Sequence, residues 1–206
     1  MNAIDTIFYV LVLLFSIVIH EVSHGFMAEY FGDNTARNAG RLTLNPIRHL
    51  DLFGSVILPI ILIVVRAPFL FGWAKPVPYN PDNLRNLRWG TFFVAFAGVL
   101  SNIFLALVFG LIIRFSFNFS LSENFYFVTS TIVLVNLALA IFNLVPIPPL
   151  DGSKILFSLL PGQASAFQKF MERYGFALLL FFIAFFSEYL FPIISFLYIA
   201  FTGLAI

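Results

Sequence analysis

His20-Glu21-Val22-Ser23-His24 lies inside an apolar run that extends from residue 4 to residue 31. Without those five residues the run reads as one membrane-spanning helix. At 1.5 Å per residue it is about 40 Å long, more than the roughly 30 Å of a bilayer's hydrocarbon core. Gly32-Asp33-Asn34 ends it. Ionisable side chains are costly at such depth, and their default reading is functional. His24 precedes the helix end by seven residues, so the motif lies roughly 10 Å in from one membrane face.

The rest of the chain agrees with a lipid environment. Of 206 residues, 61% are hydrophobic and 10% charged, where an average soluble domain has about 25% charged. There are 29 Phe, and the net charge of +1 gives no reason to expect a nucleic-acid partner. The first apolar run lacks a basic flank and a small-residue cleavage site, so it is expected to be retained as a helix. With no Cys, any metal must be held by His and carboxylate.

Further spans are expected at 91–113 and 125–145, and a closing helical hairpin at 175–187 and 189–206, turning around Glu188. Residues 164–174 read as interfacial. Residues 52–65 are short for a span, and Pro59 interrupts them. The prolines at 76, 78 and 81 force 72–83 to be extended. Pro146-Ile147-Pro148-Pro149-Leu150-Asp151-Gly152 breaks another helix, which resumes over 153–160. The expectation is a single membrane-embedded domain over 1–206. It is all-α, with about five transmembrane helices, one re-entrant or half-inserted segment at 52–71 and a short extended interfacial segment.

Charge placement orients it. If 52–71 enters and leaves by one face, then Arg37, Arg41, Arg48, Arg66, Lys75, Arg85, Arg88, Lys154, Lys169 and Arg173 share that face. Only Arg114 lies opposite. The bias of Lys and Arg towards the cytoplasm makes that face cytoplasmic, with the His-Glu motif near it.

Two His at i and i+4 share one helix face, and H-E-x-x-H on a helix is a zinc-hydrolase pattern. A hydrolytic zinc site needs three protein ligands and an open position. His20 and His24 give two. His49 lies in a polar loop among arginines and reads as a plain interfacial residue. Asp151, at a proline-forced break where irregular backbone must be lined by protein or water, is the choice for the third. One zinc, ionised Asp151 and ionised Glu21 sum to zero charge, which a low-dielectric site tolerates. Glu21 would be the general base towards a water acidified by the metal, later passing the proton to the leaving amine. Asn143 is the first candidate for a donor to the developing oxyanion, with Asn102 behind it. Asn102, Trp73 and Lys75 are carried as substrate-facing candidates, although Trp73 and Lys75 more often mean interfacial anchoring than substrate contact. Other divalent ions fit similar ligands. An ion transporter using His20, Glu21 and His24 as a relay stays open, as does a silent homologue that only binds membrane partners.

The chain resembles the site-2 protease family of intramembrane zinc metalloproteases. The resemblance rests on His20-Glu21-Val22-Ser23-His24, on Asn143-Leu-Val-Pro-Ile-Pro-Pro-Leu-Asp151-Gly152, and on Gly40-Arg-Leu-Thr-Leu-Asn-Pro46, Gly72-Trp-Ala-Lys-Pro-Val-Pro78 and Ala97-Gly-Val-Leu-Ser-Asn102. Together these cover nearly the whole chain and point to the minimal prokaryotic branch without PDZ or CBS domains. Pro148 stands where the family motif has Asn, and Val99 where Pro is common. The resemblance implies a prokaryotic cell membrane and transmembrane proteins as substrates, cut in or near the bilayer. A helical substrate hides its carbonyls in hydrogen bonds and must unwind first. The extended segment 73–80 would offer an edge to hold it.

Overall fold

The computed structural model describes residues 3–57, 60–61, 64, 74–116, 119, 121–160 and 165–205. These residues are helical or irregular, with no strand among them. The helices are α1 (Ala3–Tyr30), α2 (Thr35–Asn38), α3 (Leu87–Ser116), α4 (Glu123–Asn143), α5 (Asp151–Leu159), α6 (Ser165–Phe186) and α7 (Phe191–Thr202). Among the described residues four stretches are long and apolar enough to cross a membrane: 4–30, 87–116, 123–143 and 166–202. The protein is an all-α, multi-pass membrane protein.

Helix ends follow local chemistry. Gly32 stops α1 by taking φ +107°, a conformation that costs other residues more. Ser122 caps α4 through its hydroxyl, which accepts from Phe125 N–H. α4 ends at Asn143 because Pro146 lacks an N–H, and the chain stays irregular to Leu150. That break is covered by protein: Val145 and Leu150 pack on Leu179, with Phe182 and Ile183 of α6 beside them.

α1, α3 and α4 pack together, and α7 closes the far end through Ala106, Ile113, Val133, Leu137 and Tyr198. Large apolar side chains remain exposed along the helices, among them Phe104, Phe115, Phe181 and Phe196. A bilayer would cover such a surface.

The expected hairpin around Glu188 is not formed. Residues 166–202 run as one 37-residue helical stretch, with a 3-10 turn at Ser187–Leu190 joining α6 to α7. Pro192 sits in the first turn of α7, where a missing N–H costs nothing, and no glycine is present to reverse the chain. Residues 165–174 accordingly belong to α6. The half-inserted segment expected at 52–71 lies largely outside the described residues. Leu52–Ile57 forms one π-helical turn.

Lys75, Arg85 and Arg88 gather at the end where α1 stops. Arg85 N–H donates to the Phe31 carbonyl, and Arg88 reaches the Ser158 and Leu159 carbonyls. Arg114 lies at the other end, on the Ala200 carbonyl. Lys75 N–H donates to the His49 carbonyl at 2.8 Å, so the chain leaves and returns at the same end. Asp33 is fully buried there. Burial works against its charge, but hydrogen bonds from Asn83, Thr35 and the Asn80 N–H outweigh it and hold its pKa below the ordinary value.

Candidate metal centre

α1 and α5 bring three ligand-type atoms together. His20 Nε2 lies 3.0 Å from Asp151 Oδ2 and 3.0 Å from His24 Nε2. His24 Nε2 lies 3.1 Å from the same Asp151 oxygen. All three residues are buried. Tetrahedral zinc with ligands at about 2.0–2.1 Å keeps them about 3.3 Å apart. The triangle is therefore close to the size of one face of such a site, and the donor set, two imidazoles and a carboxylate, suits zinc.

Each imidazole is held from behind. His20 Nδ1 donates to Asn102 Oδ1 at 2.6 Å, and His24 Nδ1 donates to the Val94 carbonyl at 2.6 Å. With the proton on Nδ1, both Nε2 lone pairs face the centre of the triangle. Asn102 is itself fixed: its amide donates to Asn136 Oδ1 at 2.8 Å, and Asn136 donates to Ser16 Oγ at 3.0 Å. This buried chain joins α1, α3 and α4.

Glu21 is half-buried on the same helix, close enough to group with His20 and His24 as a potential metal cluster. Its Oε2 accepts from Val77 N–H at 2.8 Å. The other oxygen of Asp151 faces Lys154, 3.6 Å away, and Lys154 also lies over the Tyr79 ring. The segment 74–80 thus passes over the centre as an irregular strap. It is tied to His49 O, Glu21, Arg41 and Asp33.

Several expectations change. Asn102 is fully buried and spends its oxygen on His20, which puts it behind the histidine and away from any substrate. Asn143 donates to the Leu139 carbonyl of its own helix at 2.9 Å, leaving one amide hydrogen free of that bond. His49 is fully buried, not interfacial, with Nε2 donating to the Thr43 carbonyl. Lys75 is exposed at the strap. Trp73 lies outside the described residues. Sequence reasoning missed Val77, Val94 and Gly98. A Cβ on Gly98 would stand 2.5 Å from His24 Cε1 and 2.7 Å from His20 Cε1. Only a residue without a side chain lets α3 lie this close to the two rings.

Asn102→Leu is expected to weaken zinc binding about 10- to 100-fold, as loss of an outer partner of a metal-bound His does. Asn102→Asp keeps the acceptor for His20 and should retain most of the affinity. Competition with a chelator measures both. Equal losses would mean that the oxygen facing His20 is not what supports the metal.

The sequence model described as "Peptidase family M50" matches residues 120–182. "Putative zinc metalloprotease YwhC" of Bacillus subtilis (strain 168) is 38% identical over 183 residues, covering 84% of this chain and 78% of that protein. "Putative zinc metalloprotease Rip2" of Mycolicibacterium smegmatis is 29% identical over 139 residues. That match covers 68% of this chain, which spans about half the length of that relative. No solved structure matches the chain.

Proposed function

Because this chain belongs to peptidase family M50, the site-2 protease family of zinc metalloproteases, we propose that it is an intramembrane endopeptidase. It hydrolyses peptide bonds in or near transmembrane segments of other membrane proteins. The single observation that carries this reading is the buried triangle of His20, His24 and Asp151, with Glu21 beside it on the same helix. Family membership favours hydrolysis over the ion relay that intramembrane His and Glu left open.

His20, His24 and Asp151 would hold one zinc ion per chain. When bound, zinc supplies Lewis-acid polarisation and lowers the pKa of water to about 7. Glu21 takes the proton from the attacking water as the new C–O bond forms at the peptide carbonyl. It then gives that proton to the departing amine nitrogen as the C–N bond breaks. Asn143 turns its remaining amide hydrogen towards the oxyanion. The strap 74–80, which pairs with no strand among the described residues, offers backbone groups to an unwound substrate, with Lys75 in it and Trp73 just before it in the sequence. The ten basic residues that the sequence pattern assigns to the face where α1 stops favour a cytoplasmic site in a prokaryotic cell membrane.

The test is reconstitution of the purified chain in lipid with a panel of single-span membrane proteins. Cuts in or beside the apolar segment are expected, mapped by mass spectrometry of the products, with loss on zinc removal and recovery on its return. Cutting that survives complete zinc removal would refute the reading.

A further inference from the structure

Arg41, Arg48 and Lys75 line one pocket of about 470 Å³ at the end of the molecule where α1 stops. None of the three forms an ion pair with a carboxylate among the described residues. Arg41 is 8% exposed, and its Nη2 donates to the Lys75 carbonyl at 2.7 Å and the Pro76 carbonyl at 3.3 Å. Among the described residues its Nε–H is buried without a partner. A buried guanidinium with a vacant donor and no counter-charge is an expensive arrangement unless an anion completes it. The planar fork of Arg, with Arg48 and Lys75 on the same wall, matches the oxygens of a phosphate.

The rim indicates where that phosphate comes from. Ile47 is 73% exposed and Leu50 41%, and both line the pocket. Leu44, Leu52 and Phe53 nearby in the chain are also exposed. Apolar side chains around a cationic pocket beside the end of a helix long and apolar enough to span a membrane suit a lipid, whose chains cover the rim while the headgroup enters.

We propose that this pocket binds a phosphate-bearing anion, supplied by the headgroup of an anionic phospholipid. Arg41 carries the consequence inward. It grips the carbonyls of Lys75 and Pro76, and the next residue, Val77, holds Glu21 by its N–H. An anion against the Arg41 side chain fixes the guanidinium, and with it the strap over the centre. The effect on Glu21 rests on its proposed role as base; the binding does not.

The experiment needs no cleavage assay, so its failure is distinct from failure of the protease reading. The zinc-loaded full chain is placed in nanodiscs of phosphatidylcholine, alone or with added phosphatidylglycerol. Lipid retention is followed by native mass spectrometry, and backbone protection of the strap by hydrogen exchange. A second arm offers inorganic phosphate in phosphatidylcholine discs. Phosphatidylglycerol is expected to be retained selectively and to slow exchange at Lys75 and Val77. Arg48→Gln should weaken retention about fivefold, with a further loss in Arg48→Gln/Lys75→Gln. Unchanged zinc content certifies that the variants are folded. If inorganic phosphate alone gives the same protection, sensitive to Arg48→Gln, the pocket takes phosphate and the lipid source is overturned. Retention no greater than that of phosphatidylcholine without a phosphate effect, or retention indifferent to both substitutions, overturns the site itself.

Discussion

Glu21→Gln is expected to keep zinc at wild-type occupancy and to slow cleavage of a membrane substrate by about 10²- to 10⁴-fold, the usual contribution of a positioned general base. The substitution isolates proton transfer because of what Glu21 touches. Its Oε2 accepts from Val77 N–H, and a glutamine carbonyl oxygen accepts the same bond. The strap should therefore stay in place, and the three groups assigned to the metal are untouched. What is lost is the ability to take a proton from water and deliver it to the amine. Asp151→Ala should do the reverse. It removes the oxygen that meets both His20 Nε2 and His24 Nε2, so zinc occupancy falls first and activity follows. Metal analysis beside single-turnover cleavage separates the two. Normal cutting by Glu21→Gln would sink the proposed mechanism.

Much of the scaffold could be read from the sequence because the determinants are local. Apolar runs long enough to span the membrane place α1, α3 and α4, Gly32 marks the end of the first, and Pro146 marks the end of the third. The same logic failed at Glu188. A charged residue followed by proline looks like a turn. Yet proline is tolerated in the first turn of a helix, and a single 3-10 turn let the chain continue. His49 was misread because its neighbours Arg48 and Leu50 are exposed while it alone turns inwards, a property of packing and not of composition. Asn102 carried a signal, an amide in an apolar helix, but its partner lies 82 residues away. Only docking of α3 on α1 reveals that it orients His20. Val77 and Val94 act through backbone atoms, which no side-chain pattern can advertise.

Gly98→Ala should abolish tight zinc binding without altering any ligand. The added methyl would lie 2.5 Å from His24 Cε1, 2.6 Å from His24 Nε2 and 2.7 Å from His20 Cε1, well inside contact distance. Neither ring can swing aside cheaply. Each is tethered by its Nδ1, His20 to Asn102 and His24 to the Val94 carbonyl, both at 2.6 Å. Relief then comes either from breaking a tether, which frees the imidazole to leave the triangle, or from moving α3 away from α1. Both routes open the 3.0 Å spacing between the two Nε2 atoms. We expect zinc affinity to fall at least about 100-fold, beyond the loss of a single outer partner, and cleavage to fall with it. Overpacking itself costs about 1–3 kcal/mol, so a control must share that cost. Gly110→Ala serves, because its methyl would stand 2.7 Å from Phe201 Cβ, on the same helix but against α7 and far along from the histidines. It should lower thermal stability to a similar degree and leave zinc bound. If Gly110→Ala loses zinc as readily as Gly98→Ala, the centre depends on the stability of the whole bundle. If only Gly98→Ala does, a side chain that is missing from α3 sets the geometry of the two histidines on α1.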